Sequence, residues 1–266
     1  TTGDKNTAVG GEALAANTTG TYNTAVGRSC LTAVTTASNN VAVGNCMQAT
    51  TDGGQNTAMG NGALDSNTTA SYNCAFGNQA VEQNTTGEYN VGVGYKALES
   101  NTTGGNNTAL GSYALDAATT ASNNVAVGYA ALTDNNVGTR NTAIGYGALA
   151  HATDAGSGTP NDNTAVGYDA MNDVTSGYAN VAIGSWAGDN MTVGYNNIYI
   201  GDNAGNSHVN GDRSIYVGRA CNCSSTSRSL EYVFGTGLAG KGEQTFLAGG
   251  NVGAYNEANN SSWSTT

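Results

Sequence analysis

A short phrase returns along almost the whole chain: an Asn, three small or apolar residues and a Gly, as in NVGVG at 90–94 and NTALG at 107–111. With the Asn as position 0, it falls at Asn6, Asn23, Asn40, Asn56, Asn73, Asn90, Asn107, Asn124, Asn141, Asn163, Asn180 and Asn197, and Ser214 continues the series. The step is 17 residues, except 16 after Asn40 and 22 after Asn141. A fixed period of this size belongs to a solenoid, in which each unit is one coil that buries its apolar side only by stacking on its neighbours.

Position +4 is Gly in all thirteen units, from Gly10 to Gly218. A residue without a side chain at one repeated place implies a turn with positive φ or a very close approach of backbones. Positions +1 and +3 are apolar or β-branched, as in Thr7 and Val9 or Ile198 and Ile200, the period-2 pattern of a short strand. Position +8 is usually Leu, which fills the coil, and Asn-Thr-Thr-Gly closes it with turn-forming residues. Recurrent Gly and β-branched residues argue against helix. The expected fold is all-β, a β-solenoid or β-roll of 17-residue coils over residues 1–218, with a non-repetitive cap or tip over 219–266. At about 4.8 Å per coil, such a stack spans roughly 60 Å. The consensus is carried by Asn23, Gly27 and Leu31 and again by Asn141, Gly145 and Leu149. The Asn column is either a stacked amide ladder or a set of turn residues bonding to their own backbone.

Position +2 is Ala in ten of the first eleven units and Gly92 in the other. If +1 and +3 face the coil interior, +2 faces outward, and a column of Ala there means that the strand is covered on both faces. Two readings stand: another copy of the chain packs on this column about an axis parallel to the stack, or +2 lies at a tight internal corner. Thin coils bury little apolar area alone, which favours the oligomer.

Composition narrows the function classes. A net charge of −11, with eight scattered Lys and Arg, argues against a nucleic-acid face. No apolar run reaches the length of a membrane span. His151 and His208 have no nucleophile at a motif spacing, and no phosphate loop or metal-ligand cluster is present. No catalytic set, metal site or cofactor is expected. The first residues already lie inside a repeat, so the chain is expected to be a piece of something longer.

The units NTAVGRSCL at 23–31 and NTAIGYGAL at 141–149 resemble the repeats of trimeric fibre proteins on bacteriophage tails. More loosely, they are similar to the head repeats of trimeric autotransporter adhesins, which form a trimeric left-handed β-roll. The Ala-Leu after each Gly and the 17-residue step depart from the adhesin pattern and favour the phage one. The resemblance covers residues 1 to about 218. The final SSWSTT at 261–266 resembles the segment before the self-cleaving C-terminal chaperone of many such fibres. The resemblance implies a parallel homotrimer serving as spacer and attachment segment. Its partners would be other fibre or virion proteins and a cell-surface glycan or protein receptor. Its place would be extracellular, on the virion tail, or on the bacterial surface under the adhesin reading. An ice-binding or purely structural filament is the third reading, motivated by the Thr-Thr pairs.

Departures from the repeat are the candidate contact sites. The insertion HATDAGSGTP at 151–160 must loop outward and holds His151 and Pro160. The C-terminal region gathers Tyr232, Phe234, Phe246, Tyr255 and Trp263, as a receptor surface or as subunit-locking core. Tyr199 and Tyr216 replace the small +2 residue while Gly188 and Gly205 replace the +8 Leu, so the cross-section is expected to change near residue 195. Asp65, Glu82, Glu99 and Asp116 form a +9 column read as a solvated acidic face. Tyr95, Tyr129, Tyr146 and Tyr168 recur at +5, where they stack on sugars or on a neighbouring subunit. The five Cys read as small apolar fillers, with Cys30 and Cys46 placed on adjacent coils at a separation suited to a disulfide.

Overall fold

The computed structural model describes residues 2–153, 159–227 and 229–249 and the backbone of two further strands. The described residues contain no helix. They form two compact units, 1–137 and 138–266, each a β-solenoid. The first carries eight three-residue strands, β1 (Thr7–Val9) to β8 (Val125–Val127), each paired in parallel with the next. The second carries β9 (Thr142–Ile144) to β15 (Thr245–Gly249), likewise parallel. Two antiparallel strands follow, β16 (Gly253–Glu257) on β15 and β17 (Ser264–Thr265) on β16. EYVFG at 231–235 and TFLAG at 245–249 thus supply rungs in register, β14 (Tyr232–Phe234) and β15, and the parallel series runs past residue 218.

From β1 to β13 each strand is positions +1 to +3, and its register is column on column: Ala8 opposite Ala25, Ala25 opposite Ala42. The inward residue is +2. Ala25, Ala42, Ala58, Ala109 and Ala165 are fully buried within the single chain. This overturns the outward assignment of the Ala column, and with it the case for a second copy that rested on that column. The reason is steric. The +8 Leu, Leu31 or Leu149 for example, lies in the same interior, and a coil this narrow admits one large side chain opposite one small one. The lone Gly92 obeys the same limit: a Cβ there would stand 2.5 Å from Cγ2 of Val81, the +8 residue of the preceding coil.

The +4 Gly column has two separate causes. Gly27 has φ 139, and a Cβ on it would fall onto the carbonyl oxygen of Gly44, its equivalent one coil on. Position +8 is less obvious, because Leu31 and Leu149 are left-handed, with φ 53 and 51. That conformation costs a non-Gly residue about 1–2 kcal/mol, against about 1.5–3 kcal/mol from burying a Leu side chain. Burial and the inter-coil bond from Leu149 N–H to the Ala170 carbonyl, 3.0 Å, hold it there.

The Asn column is both things the sequence allowed. The Asn90 backbone N–H donates to Oδ1 of Asn73 (2.9 Å), while its Nδ2 donates to the Gly104 carbonyl of its own coil (2.8 Å). In several coils Nδ2 also donates up the column, as from Asn180 to Asn163 Oδ1 (3.1 Å). A second ladder at +11 links Asn67, Asn84 and Asn101. These Asn are buried, which closes them to glycan attachment although each opens an Asn-x-Thr sequence.

Candidate functional site

With +2 pointing inward, +1 and +3 point out, and they are the apolar positions. Met59, Leu110, Ile144 and Ile183 are 47, 40, 40 and 42 % exposed. On either side of this strip stand aromatic rims. On the leading side, Tyr72 and Tyr89 at +16 stack at 4.8 Å and 4°, and Tyr178 and Tyr195 at +15 stack at 5.0 Å and 3°. On the trailing side, Tyr95, Tyr113 and Tyr129 meet edge to face, and Tyr146 stacks on Tyr168, which meets Trp186 edge to face. Among the described residues, every exposed large apolar side chain apart from Val193 at +13 lies between +15 of one coil and +6 of the next. Solitary exposed apolar residues are ordinary, but a contiguous strip of them marks a contact surface.

The rest of the circumference is polar. The +12 Thr hydroxyls donate to carbonyls of the next coil, as Thr85 to Thr102 (2.9 Å) and Thr102 to Thr119 (3.0 Å). Beyond the first pair, where Thr18 and Thr19 are both exposed, only the second Thr of each pair is left exposed, so the Thr-Thr pairs do not form a continuous double hydroxyl array. In the acidic column Lys96 pairs with Glu99 at 3.0 Å. Asp116 is half-buried and takes a bond from the Thr133 hydroxyl at 2.6 Å; burial, which outweighs that bond, raises its carboxyl above the ordinary range. Asp189 is pushed up to about 6, first by burial and then by the charges of Asp173 and Asp169. Among the described residues no group of three or more His, Cys, Asp or Glu could hold a metal ion.

The candidate contact residues divide. Tyr232 and Phe234 lie at +1 and +3 of β14, and Phe246 pairs with Tyr232. Phe234 and Phe246 touch at a ring separation of 5.3 Å, so these three belong to the apolar strip. Tyr255 lies on β16, opposite Leu247, and Trp263 lies outside the described residues. His151 is exposed and its backbone N–H donates to the Asn172 carbonyl, 2.9 Å. Pro160 is buried, and its carbonyl accepts from Asn141 Nδ2 at 2.7 Å, which makes it a structural residue of the coil and corrects its place among contact residues. The +1/+3 columns and the +16 Tyr column were missed as a surface; their signal was the apolar character shared by both sides of the strand.

The cross-section does not change near residue 195 as expected. Tyr199 and Tyr216 point inward, fully buried, and stack at 5.8 Å and 3°. They occupy the space the missing +8 Leu leaves: a Cβ on Gly188 would come within 2.8 Å of the Tyr199 ring, and one on Gly205 would overlap it. Their hydroxyls are partnered inside, Tyr199 with His208 Nδ1 (2.7 Å) and Tyr216 donating to Glu231 Oε2 (3.0 Å). No family model, curated protein or solved structure matches the chain.

Proposed function

We propose that the chain is a fibre segment, a homotrimeric spacer that carries an attachment surface outward from a phage tail to a host cell. The observation that carries this reading is the confinement of exposed apolar and aromatic side chains to one strip, +15 to +6, along each solenoid unit. A single chain gains nothing from keeping that strip in water, whereas copies packed about a common axis bury it over every coil at once. The number three comes from the resemblance of the NTAVG-type units to trimeric fibres. Under this assignment Tyr232, Phe234 and Phe246 serve the contact between copies. Receptor contact falls to the polar surfaces left outside, including the exposed His151.

Those outer surfaces are neutral to acidic, with a net charge of −11 over the chain, which suits a neutral glycan or a basic protein patch and disfavours polyanions. The self-bonded +12 hydroxyls weigh against the ice-binding alternative. The test is retention of fluorescently labelled chain on a panel of bacterial strains and their purified surface polysaccharides. The reading expects retention on some strains, competed by the matching polysaccharide or abolished by protease treatment of the cells. Retention on no strain, with the chain folded, overturns the attachment role.

A further inference from the structure

Cys30 and Cys46 stand at the +7 place of adjacent coils, a slot that the other coils fill with Ala except the one begun by Ser214, which has Cys221. The coil of Cys46 is the 16-residue one. Its missing residue is absorbed between Gly44 and Cys46, in the outer turn, so that Cys46 is brought back into register with Cys30: Leu31 N–H donates to the Cys46 carbonyl. Both side chains are fully buried and their sulfur atoms are 3.7 Å apart. Residues in register on neighbouring coils lie about 4.8 Å apart, inside the Cα range of natural disulfides, about 4.4–6.8 Å. No backbone shift is therefore needed to join them, only a small turn about the side-chain torsions.

The other three Cys lack this arrangement. Cys74 faces outward at +1 on β5 (Cys74–Phe76), and Cys221 and Cys223 lie in the other unit, where the Cys221 thiol donates to the Gly218 carbonyl at 3.0 Å. Between the paired thiols the hydrogen bond from Cys46 holds Cys30 below the ordinary thiol range, and the same contact, followed by burial, raises Cys46.

We propose that Cys30 and Cys46 are a built-in disulfide site, closed as the coils fold in the presence of a low-molecular-weight disulfide. The Cys30 thiolate attacks one sulfur of that disulfide, forming a mixed disulfide and releasing one thiol. The Cys46 thiolate then attacks the Cys30 sulfur and releases the second thiol. Two protein thiols are oxidised by two electrons, and the reagent disulfide is reduced to two thiols. The bond links adjacent coils across a 16-residue loop and removes conformations only from the unfolded chain.

The experiment refolds the whole chain in a glutathione redox buffer and, separately, with reduced glutathione alone. Free thiols are counted after denaturation and linked peptides are mapped under non-reducing conditions. The expected result is three free thiols rather than five (five Cys less two) and a single linked pair, Cys30 to Cys46. The melting temperature of the oxidised form should exceed that of the reduced form by about 5–10 °C. Cys46→Ala places the residue most coils carry at +7, so it folds, and it should lose both the linked peptide and the shift. Five titratable thiols after oxidative refolding, or a linked pair other than Cys30 and Cys46, overturns the proposal.

Discussion

The coil that begins at Asn90 and the coil that begins at Asn197 reach one cross-section by opposite means. The first places Gly92 at +2 and Leu98 at +8; the second places Tyr199 at +2 and Gly205 at +8. In both, the small residue sits where a large side chain needs room, Val81 of the preceding coil at Gly92 and Tyr199 of the same coil at Gly205. The constraint acts on the summed volume at a level of the stack, not on either column. The two differ in polarity as well. The Leu coil places no hydroxyl there, whereas Tyr199 and Tyr216 of the next coil bring hydroxyls inside and need His208 and Glu231 as partners, because an unbonded buried hydroxyl costs about 1–3 kcal/mol.

The comparison breaks most visibly at Gly205. Gly205→Leu rebuilds the consensus at +8 while Tyr199 still occupies the space, and should cost about 3 kcal/mol or more from overpacking and left-handed φ. Tyr199→Ala alone should cost about 3–5 kcal/mol through the cavity it leaves. If the two share one volume, the double variant loses clearly less than the sum of the single ones, read as a chemical-denaturation double-mutant cycle. Strict additivity would mean that the columns are independent.

The turn next to the strand should be indifferent to which filling a coil uses. Gly27→Ala meets both a positive φ and the Gly44 carbonyl and should cost about 2–3 kcal/mol. Gly11, one residue past its own column Gly, has open space at Cβ, so Gly11→Ala should be neutral or stabilise by up to about 1 kcal/mol. Equal melting curves for the two variants would refute the stacking account of the column.

Smaller effects test the polar side. Asp189 titrates at about 6 in the fold against an ordinary 3.8. Its folded pKa is raised, so the protonated form is the one the fold favours. The associated stability is present below about pH 4 and is lost as pH rises through about 6. Asp189→Asn should flatten the stability profile of residues 138–266 in that window and raise stability at pH 7 by about 1 kcal/mol. The smallest change is a gain. Asn101 Oδ1 is buried without a hydrogen-bond partner because its ladder stops where Ala118 replaces Asn. Ala118→Asn should supply the missing N–H and add about 1 kcal/mol, measured by thermal or urea unfolding.

The sequence carried the period, the strand positions and the Gly turn, because each follows from residue-level sterics repeated thirteen times. It did not carry which side of the strand is inside. Period-2 alternation assigns faces only when one side is polar, and here Ala at +2 and Val, Ile or Thr at +1 and +3 are all acceptable in a core. The decisive signal was present in two places: +2 and +8 change together at Tyr199 and Gly205, and Gly92 follows the branched Val81. Co-occurring changes of that kind belong to side chains in contact. The left-handed Leu at +8 was unreadable, since nothing local favours it and only the stacked neighbours hold it. The contact strip was missed for the same reason as the facing: once Ala is inside, the apolar columns move outside together.

The most direct test is the mass of the chain in solution, by sedimentation equilibrium, beside a variant carrying Met59→Lys and Leu110→Lys on the exposed strip. The account predicts three times the 26.6 kDa of one chain for the parent and a shift towards single chains for the variant. A folded parent that stays monomeric at every concentration, or a trimer unmoved by two charges on the strip, would contradict it.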